Sequence, residues 1–196
     1  ERKPLLNETD IRHRAMQAIQ LLVNQGVQHI RTHADVSDPS LIGLRTLCAL
    51  RDELSGKVDI QVVAFPQEGL LSYPGGLELM EQALQIGADV IGGIPHFEYT
   101  RELGEASMKK VIELALKYDR LVDVHCDETD DPNSRFLEVL AAEALFNNMG
   151  SRVTASHTTA MGSYDNAYCS KLFRLLKKSG INFVSCPTES IHLQGR

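Results

Sequence analysis

The four cysteines of this 196-residue chain include no C-x-x-C pair, which excludes a zinc ribbon. The small zinc deaminase fold is excluded too, because its H-x-E and P-C-x-x-C signature is missing. Cys48, Cys126, Cys169 and Cys186 lie far apart, and the opening "ERKPLLNETD" lacks the pattern of a signal peptide. They read as reduced thiols of a cytoplasmic protein. No apolar run approaches the roughly 20 residues of a membrane span, so no membrane is expected as a partner. Formal net charge is −6 and the basic residues are scattered, so there is no basic face and no nucleic acid is expected as a partner. Neither G-x-G-x-x-G nor G-x-x-x-x-G-K-[ST] occurs, which speaks against dinucleotide and P-loop folds. No methionine opens the chain, and no helix is expected after its last strand.

What is present is a beat. Apolar segments recur at 27–36, 58–67, 88–97, 120–128, 152–160 and 181–189, about 30 residues apart, the length of one βα unit. Helical stripes lie between and before them. Ile11, Ala15, Ile19 and Leu22 form one; Leu77, Met80, Ala83 and Leu84 another; Val111, Leu114, Ala115 and Tyr118 a third. Glycines in "NQG", "QIG", "NNMG" and "KSG" are placed to close helices just ahead of the next strand. Alternation at this spacing predicts a parallel sheet with right-handed crossovers. A (β/α)₈ barrel needs eight strands, and six alone leave two unpaired edges, so the chain reads as an excerpt of a longer polypeptide.

In such folds chemistry sits at the carboxyl ends of the strands. Four of the seven histidines fall there: His33, His96, His125 and His157, with His192 just beyond. A lone histidine ending a strand is more often a hydrogen-bonded structural residue. His125 and His157 end neighbouring strands, however, and Glu128 follows three residues after His125. Imidazoles with a nearby carboxylate suit a catalytic metal with an open coordination position. Phe65 and Gln67 are two apart and share a face if the strand persists, setting an aromatic wall beside an amide. His33 and Asp35 fit a pair bracing the mouth of the sheet as well as they fit a direct role, and His96 and His192 read as loop residues. The acidic run after Glu128 is not a calcium loop, since Pro132 stands where an EF-hand needs glycine. Asp130, Asp131 and Asn133 instead read as the entry to the helix beginning "SRFLEVLAAEAL".

The blocks "AFPQEGLLSYP", "DRLVDVHCDE", "RVTASHTTAM", "LFRLLK", "SGINFV" and "IHLQGR" closely resemble the bacterial cytosine deaminases of the amidohydrolase superfamily. The resemblance runs the whole length of the chain. It implies an α/β fold, a (β/α)₈ TIM-type barrel of which this chain supplies about six βα units, strands two to seven. Residues 1–196 would be the central part of one hydrolase barrel domain, with flanking segments outside this chain. It further implies His125 as a metal ligand, Glu128 as the proton shuttle and His157 as the residue orienting the hydroxide. Gln67 would hold the amide edge of the pyrimidine, with Phe65 beside it. An H-x-H pair and an Asp would complete the ligand set of one divalent ion, Fe2+ or Zn2+, from outside this chain. The implied reaction is hydrolytic deamination of cytosine to uracil and ammonia by a metal-bound hydroxide. The implied assembly is a homo-oligomer acting on a small nucleobase.

The sequence departs from the family at "VSCPTESIHL", where an Asn is expected in place of Cys186 and a less polar run after it. That leaves 5-methylcytosine, isocytosine, isoguanine or a triazine amine open as substrate. Ring opening or alkylamine removal by a two-metal relative is the nearest rival, but "ADVIGGIPHF" offers no lysine for the bridging carbamate. A non-catalytic barrel that has lost its metal, and a doubly wound cofactor-binding domain, are the readings from other classes.

Overall fold

In the computed structural model, which describes residues 6–195, the six apolar segments form one parallel sheet in chain order, β1 to β6. The strands are β1 His29–Asp35, β2 Asp59–Phe65, β3 Val90–Gly93, β4 Leu121–Cys126, β5 Val153–His157 and β6 Asn182–Val184. The helices are α1 Glu8–Asn24, α2 Ile42–Glu53, α3 Gly76–Ile86, α4 Arg101–Tyr118, α5 Phe136–Phe146, α6 Asn166–Ser179 and α7 Pro187–Gln194. The sheet curls into a half-barrel with helices on its convex side, as the strand–helix beat predicts. Residues 1–5, where the absent signal peptide was read, and Arg196 lie outside the described residues.

Strand parity separates two environments. Val62 and Ala64 of β2, Val122 and Val124 of β4, and Val153 and Ala155 of β5 point outward into the core beneath the helices. There they meet Leu44, Met80, Met108, Val111, Leu137 and Leu140, every one of them fully buried. Each such large side chain contributes about 1.5–3 kcal/mol by leaving water. Strands apolar on this face and polar on the other are what a barrel with chemistry inside requires.

Helix boundaries follow local capping chemistry. Thr100 caps α4 through Leu103 N at 3.2 Å, and Asp165 caps α6 through Tyr168 N at 2.8 Å. Gly180 ends α6 at φ 66°. In "NNMG" it is Asn148, at φ 55°, that takes the left-handed turn. Gly150 serves a different purpose, since a Cβ there would lie 1.8 Å from the Ser179 carbonyl oxygen. Two further expectations are corrected. A helix does follow β6: Pro187 starts α7 with its fixed φ, and Gly195 closes it. And α5 begins at Phe136 rather than among Asp130, Asp131 and Asn133, which lie in the preceding loop.

Candidate active site

The inner, concave face of the half-barrel is lined by alternate residues of the strands and encloses about 730 Å³. β1 contributes Arg31, His33 and Asp35, and β4 contributes Asp123 and His125; Phe65 and Gln67 come from the end of β2 and the loop beyond. The floor is a buried polar layer that periodicity alone did not single out. Arg31 Nη1 donates to Asp123 Oδ2 at 2.8 Å and Arg31 Nε to Gln61 Oε1 at 3.0 Å, while Ser156 Oγ donates to Asp123 Oδ1 at 2.7 Å. The available signal was a lone aspartate in the middle of the apolar strand "LVDVHC".

Above this floor the imidazoles gather. The ring of His125 lies 4.3 Å from that of Phe65, 4.5 Å from that of His157 and 4.7 Å from that of His33, centroid to centroid. Burial, reinforced by His33 and His157, pushes the pKa of His125 down to about 3. Burial also lowers His33 and His157, the latter against the pull of Glu189 and Asp123. All three are therefore neutral imidazoles with a free lone pair.

Glu128 reaches this group although it lies beyond the strand. Its Oε1 is 3.3 Å from His157 Nδ1 and its Oε2 is 3.7 Å from His125 Nδ1. Burial first, and the negative charge of Glu189 second, raise the Glu128 carboxyl to about 7. A carboxyl at that value gives up and takes back a proton with equal ease at neutral pH.

Two local backbone features aim these side chains. Asp127 takes a left-handed conformation at φ 53° and turns its own carboxylate away from the cavity. There it accepts from Ser134 Oγ at 2.6 Å, from Phe136 N at 3.1 Å and from Leu137 N at 2.9 Å, the two amides belonging to the first turn of α5. His125 faces inward by the alternation of β4, and with residue 127 anchored outward Glu128 turns inward to meet it. His157 and Thr158 are the second feature, successive left-handed residues at φ 70° and 52°. Each such residue costs on the order of 1–3 kcal/mol. The turn brings the His157 ring into the cavity beside Ser156, where simple alternation would have sent one of them outward. Thr158 N secures it, donating to Cys126 O at 3.1 Å and to Ser156 O at 3.0 Å.

The remaining candidates divide. Asp35 accepts from Ser37 N at 2.7 Å, His33 packs edge-on against Phe65, and both line the cavity. His96 is not an ordinary loop residue: it sits in a short 3₁₀ turn with both ring nitrogens buried, and burial lowers its pKa to about 4. His192 lies exposed on α7.

His125, Glu128 and His157 bring one donor atom each to within 4.8 Å of one another, and His157 forms a second such group with Cys186 and Glu189. Glu128 Oε1 and His157 Nδ1 are buried without a hydrogen-bond partner in the protein. Neutral nitrogen donors with an adjacent carboxylate suit a borderline divalent ion such as zinc or iron(II), so the residues present fit a metal.

The structure of 5-methylcytosine deaminase from Klebsiella pneumoniae, solved with 5-fluorocytosine and with phosphonocytosine, is 63% identical with a TM-score of 0.97, covering 99% of this chain and 47% of that one. N-isopropylammelide isopropyl amidohydrolase from Pseudomonas sp. strain ADP is 28% identical over 90% of this chain and 44% of its own length. Pterin deaminase from Rhizobium rhizogenes is 26% identical over 100% of this chain and 44% of its own. The chain thus spans less than half the length of each of these relatives. A model of the amidohydrolase family matches residues 6–196, and the chain belongs to that family.

Proposed function

We propose that the complete protein hydrolyses the exocyclic amine of a cytosine-type pyrimidine, 5-methylcytosine or cytosine, releasing ammonia. One observation carries this reading: Glu128, with a carboxyl near pKa 7, stands between two neutral imidazoles beside a cavity large enough to admit a nucleobase. A divalent ion, iron(II) or zinc, held by His125 together with ligands outside this chain, would supply a Lewis acid and lower the pKa of water towards neutrality.

The residues of this chain then have distinct tasks. Glu128 accepts a proton from the water that adds to C4 of the base and passes it to ring N3, which breaks the aromaticity. A second proton moves from the added hydroxyl through the same carboxylate to the exocyclic amine. The C4–N bond breaks, ammonia departs and the C4 carbonyl remains. His157, 3.3 Å from Glu128, orients the attacking water and supports the charge that develops on its oxygen. Gln67 offers one donor and one acceptor to the amide edge of the ring, and Phe65 packs beside it. Cys186 lines the same cavity and Glu189 lies 3.7 Å from His157, so the departure from the family pattern falls where the base would be read. The 63% identity to a 5-methylcytosine deaminase favours the methylated base; cytosine is the second reading, from the block resemblance.

Ammonia release by the full-length, iron-loaded protein tests this on cytosine, 5-methylcytosine, isocytosine and isoguanine, with Glu128→Gln alongside. Release from either cytosine base that disappears in Glu128→Gln supports both the reaction and the role of Glu128. Release only from a purine or isocytosine would move the substrate assignment to the region of Cys186 and Glu189. Silence on every base with metal bound would sink the deaminase reading.

A further inference from the structure

Gln67 sits on a loop without regular structure, between β2 and α3, and a base-reading amide on such a loop needs something to hold it. We propose that Glu98 is a positioning residue for base recognition, acting through Gln67; this rests on the deaminase reading above. Glu98 comes from the next loop along, after β3, and is buried. Its Oε1 accepts from Leu70 N at 2.7 Å and Leu71 N at 3.0 Å, and its Oε2 accepts from Ser72 N at 2.7 Å and Ser72 Oγ at 2.6 Å. Ser72 Oγ in turn accepts from Tyr99 N at 2.8 Å, which locks the two loops together. A carboxylate is the only side chain that offers two oxygens to four donors, and bonds to a charged acceptor are about twice as strong as neutral ones.

This clamp reaches Gln67 through a short, rigid path. Gly69 N donates to Pro66 O at 2.9 Å, closing a tight turn around Gln67 itself. Gly69 stands at φ 92°, and a Cβ there would come within 3.0 Å of Glu98 Oε2, so the close approach of the carboxylate requires glycine. On the other side of the turn, Glu68 N donates to Ser37 Oγ at 3.1 Å, and Ser37 is held by Asp35. Gln67 is therefore fastened from both neighbouring strand ends, and the stronger fastening is Glu98. Fixing the loop beforehand spares the base the entropy of ordering it, so the effect belongs in binding rather than in the chemical step.

The test is made on the full-length protein with Glu98→Gln, whose amide keeps the shape but turns one oxygen into a donor facing donors. Ser72→Ala is the milder second variant, should Glu98→Gln fail to fold. The readouts are hydrogen exchange of the backbone amides of residues 69–72 and separate KM and kcat values for the base. In Glu98→Gln the loop amides exchange at least about tenfold faster, KM rises about tenfold and kcat stays within about threefold, as the loss of hydrogen bonds to a charged acceptor in a binding loop implies. Ser72→Ala moves exchange and KM in the same direction by about threefold. Unchanged loop exchange, or kcat falling together with protection across α4, would overturn the proposal. A wild-type protein silent on every base, with the loop released in Glu98→Gln, would overturn the deaminase reading and leave the clamp standing.

Discussion

At the scale of single residues, environment decides which carboxylate does what. Glu98, Asp123, Asp127 and Glu128 are all at least partly buried, yet only Glu128 lacks a hydrogen-bond donor at one of its oxygens. That oxygen faces His157 and the cavity. In the full-length protein Glu128→Gln is expected to lower kcat by about 10²–10⁴-fold with metal content unchanged, the range for a positioned acid–base group. Steady-state kinetics with metal analysis checks it, and near-normal turnover would remove Glu128 from the mechanism. Asp123 makes the contrasting case. It is buried against the Arg31 guanidinium, which is only partly exposed, and it also accepts from Ser156. Asp123→Ala leaves a positive charge without its partner and should cost about 3–5 kcal/mol of stability. Urea unfolding of the full-length variant measures it; a loss below about 1 kcal/mol would show that the floor of the cavity is held by something else.

At the scale of elements, the site depends on how the ends of strands are tied to the starts of helices. The Asp127 carboxylate satisfies two amides of the first turn of α5, which otherwise has no side-chain cap. Asp127→Ala should cost about 1–2 kcal/mol, the value of a helix N-terminal acceptor. It should also reduce kcat, because the same residue turns the chain so that the next one, Glu128, faces inward. Thermal unfolding and kinetics read the two effects separately, and stability lost with kcat intact would confine Asp127 to the helix. Packing between α4 and α5 sets the distance between the loops after β3 and β4. A Cβ on Gly104 would stand 2.4 Å from the Phe136 ring, so Gly104→Ala should destabilise by about 1–3 kcal/mol through overpacking. Denaturant titration checks that value, and an unchanged midpoint would mean that α4 shifts freely over α5.

At the scale of the molecule, the half-barrel carries its consequences at both sides. β6 is exposed along its length, β1 is mostly half-buried, and the two lie at the ends of the strand order, so the sheet as described ends in two open ladders. The 196-residue chain expressed alone should associate through these edges in a concentration-dependent way, measurable by light scattering as growth beyond any closed oligomer. Removing the divalent ion from the full-length protein with a chelator should abolish ammonia release, and iron(II) or zinc should restore it; release that persists without metal would rule out the proposed role of the ion.

Much of this was legible before any coordinates. The six strands, their order of polar ends and the identities of His125, Glu128, His157, Gln67 and Phe65 came from a 30-residue beat and from side-chain types, because period and polarity are local properties of a chain. The inward layer of Arg31, Asp123 and Ser156 was not legible, since partners 92 and 33 residues apart are joined only when the strands align. Nor were the left-handed turns at Asp127, His157 and Thr158, which non-glycine residues adopt only when surrounding contacts force them. The helix after β6 and the true start of α5 were misplaced because short helices are held by caps and tertiary contacts more than by propensity. Sequence alone therefore determined which residues are candidates for chemistry and at which end of each strand they stand. Tertiary structure alone decided that Glu128 meets two imidazoles, that its carboxyl is raised by burial, and that Glu98 reaches across to fasten the loop of Gln67. Distance, desolvation and hydrogen bonding between remote segments exist only once the chain has folded.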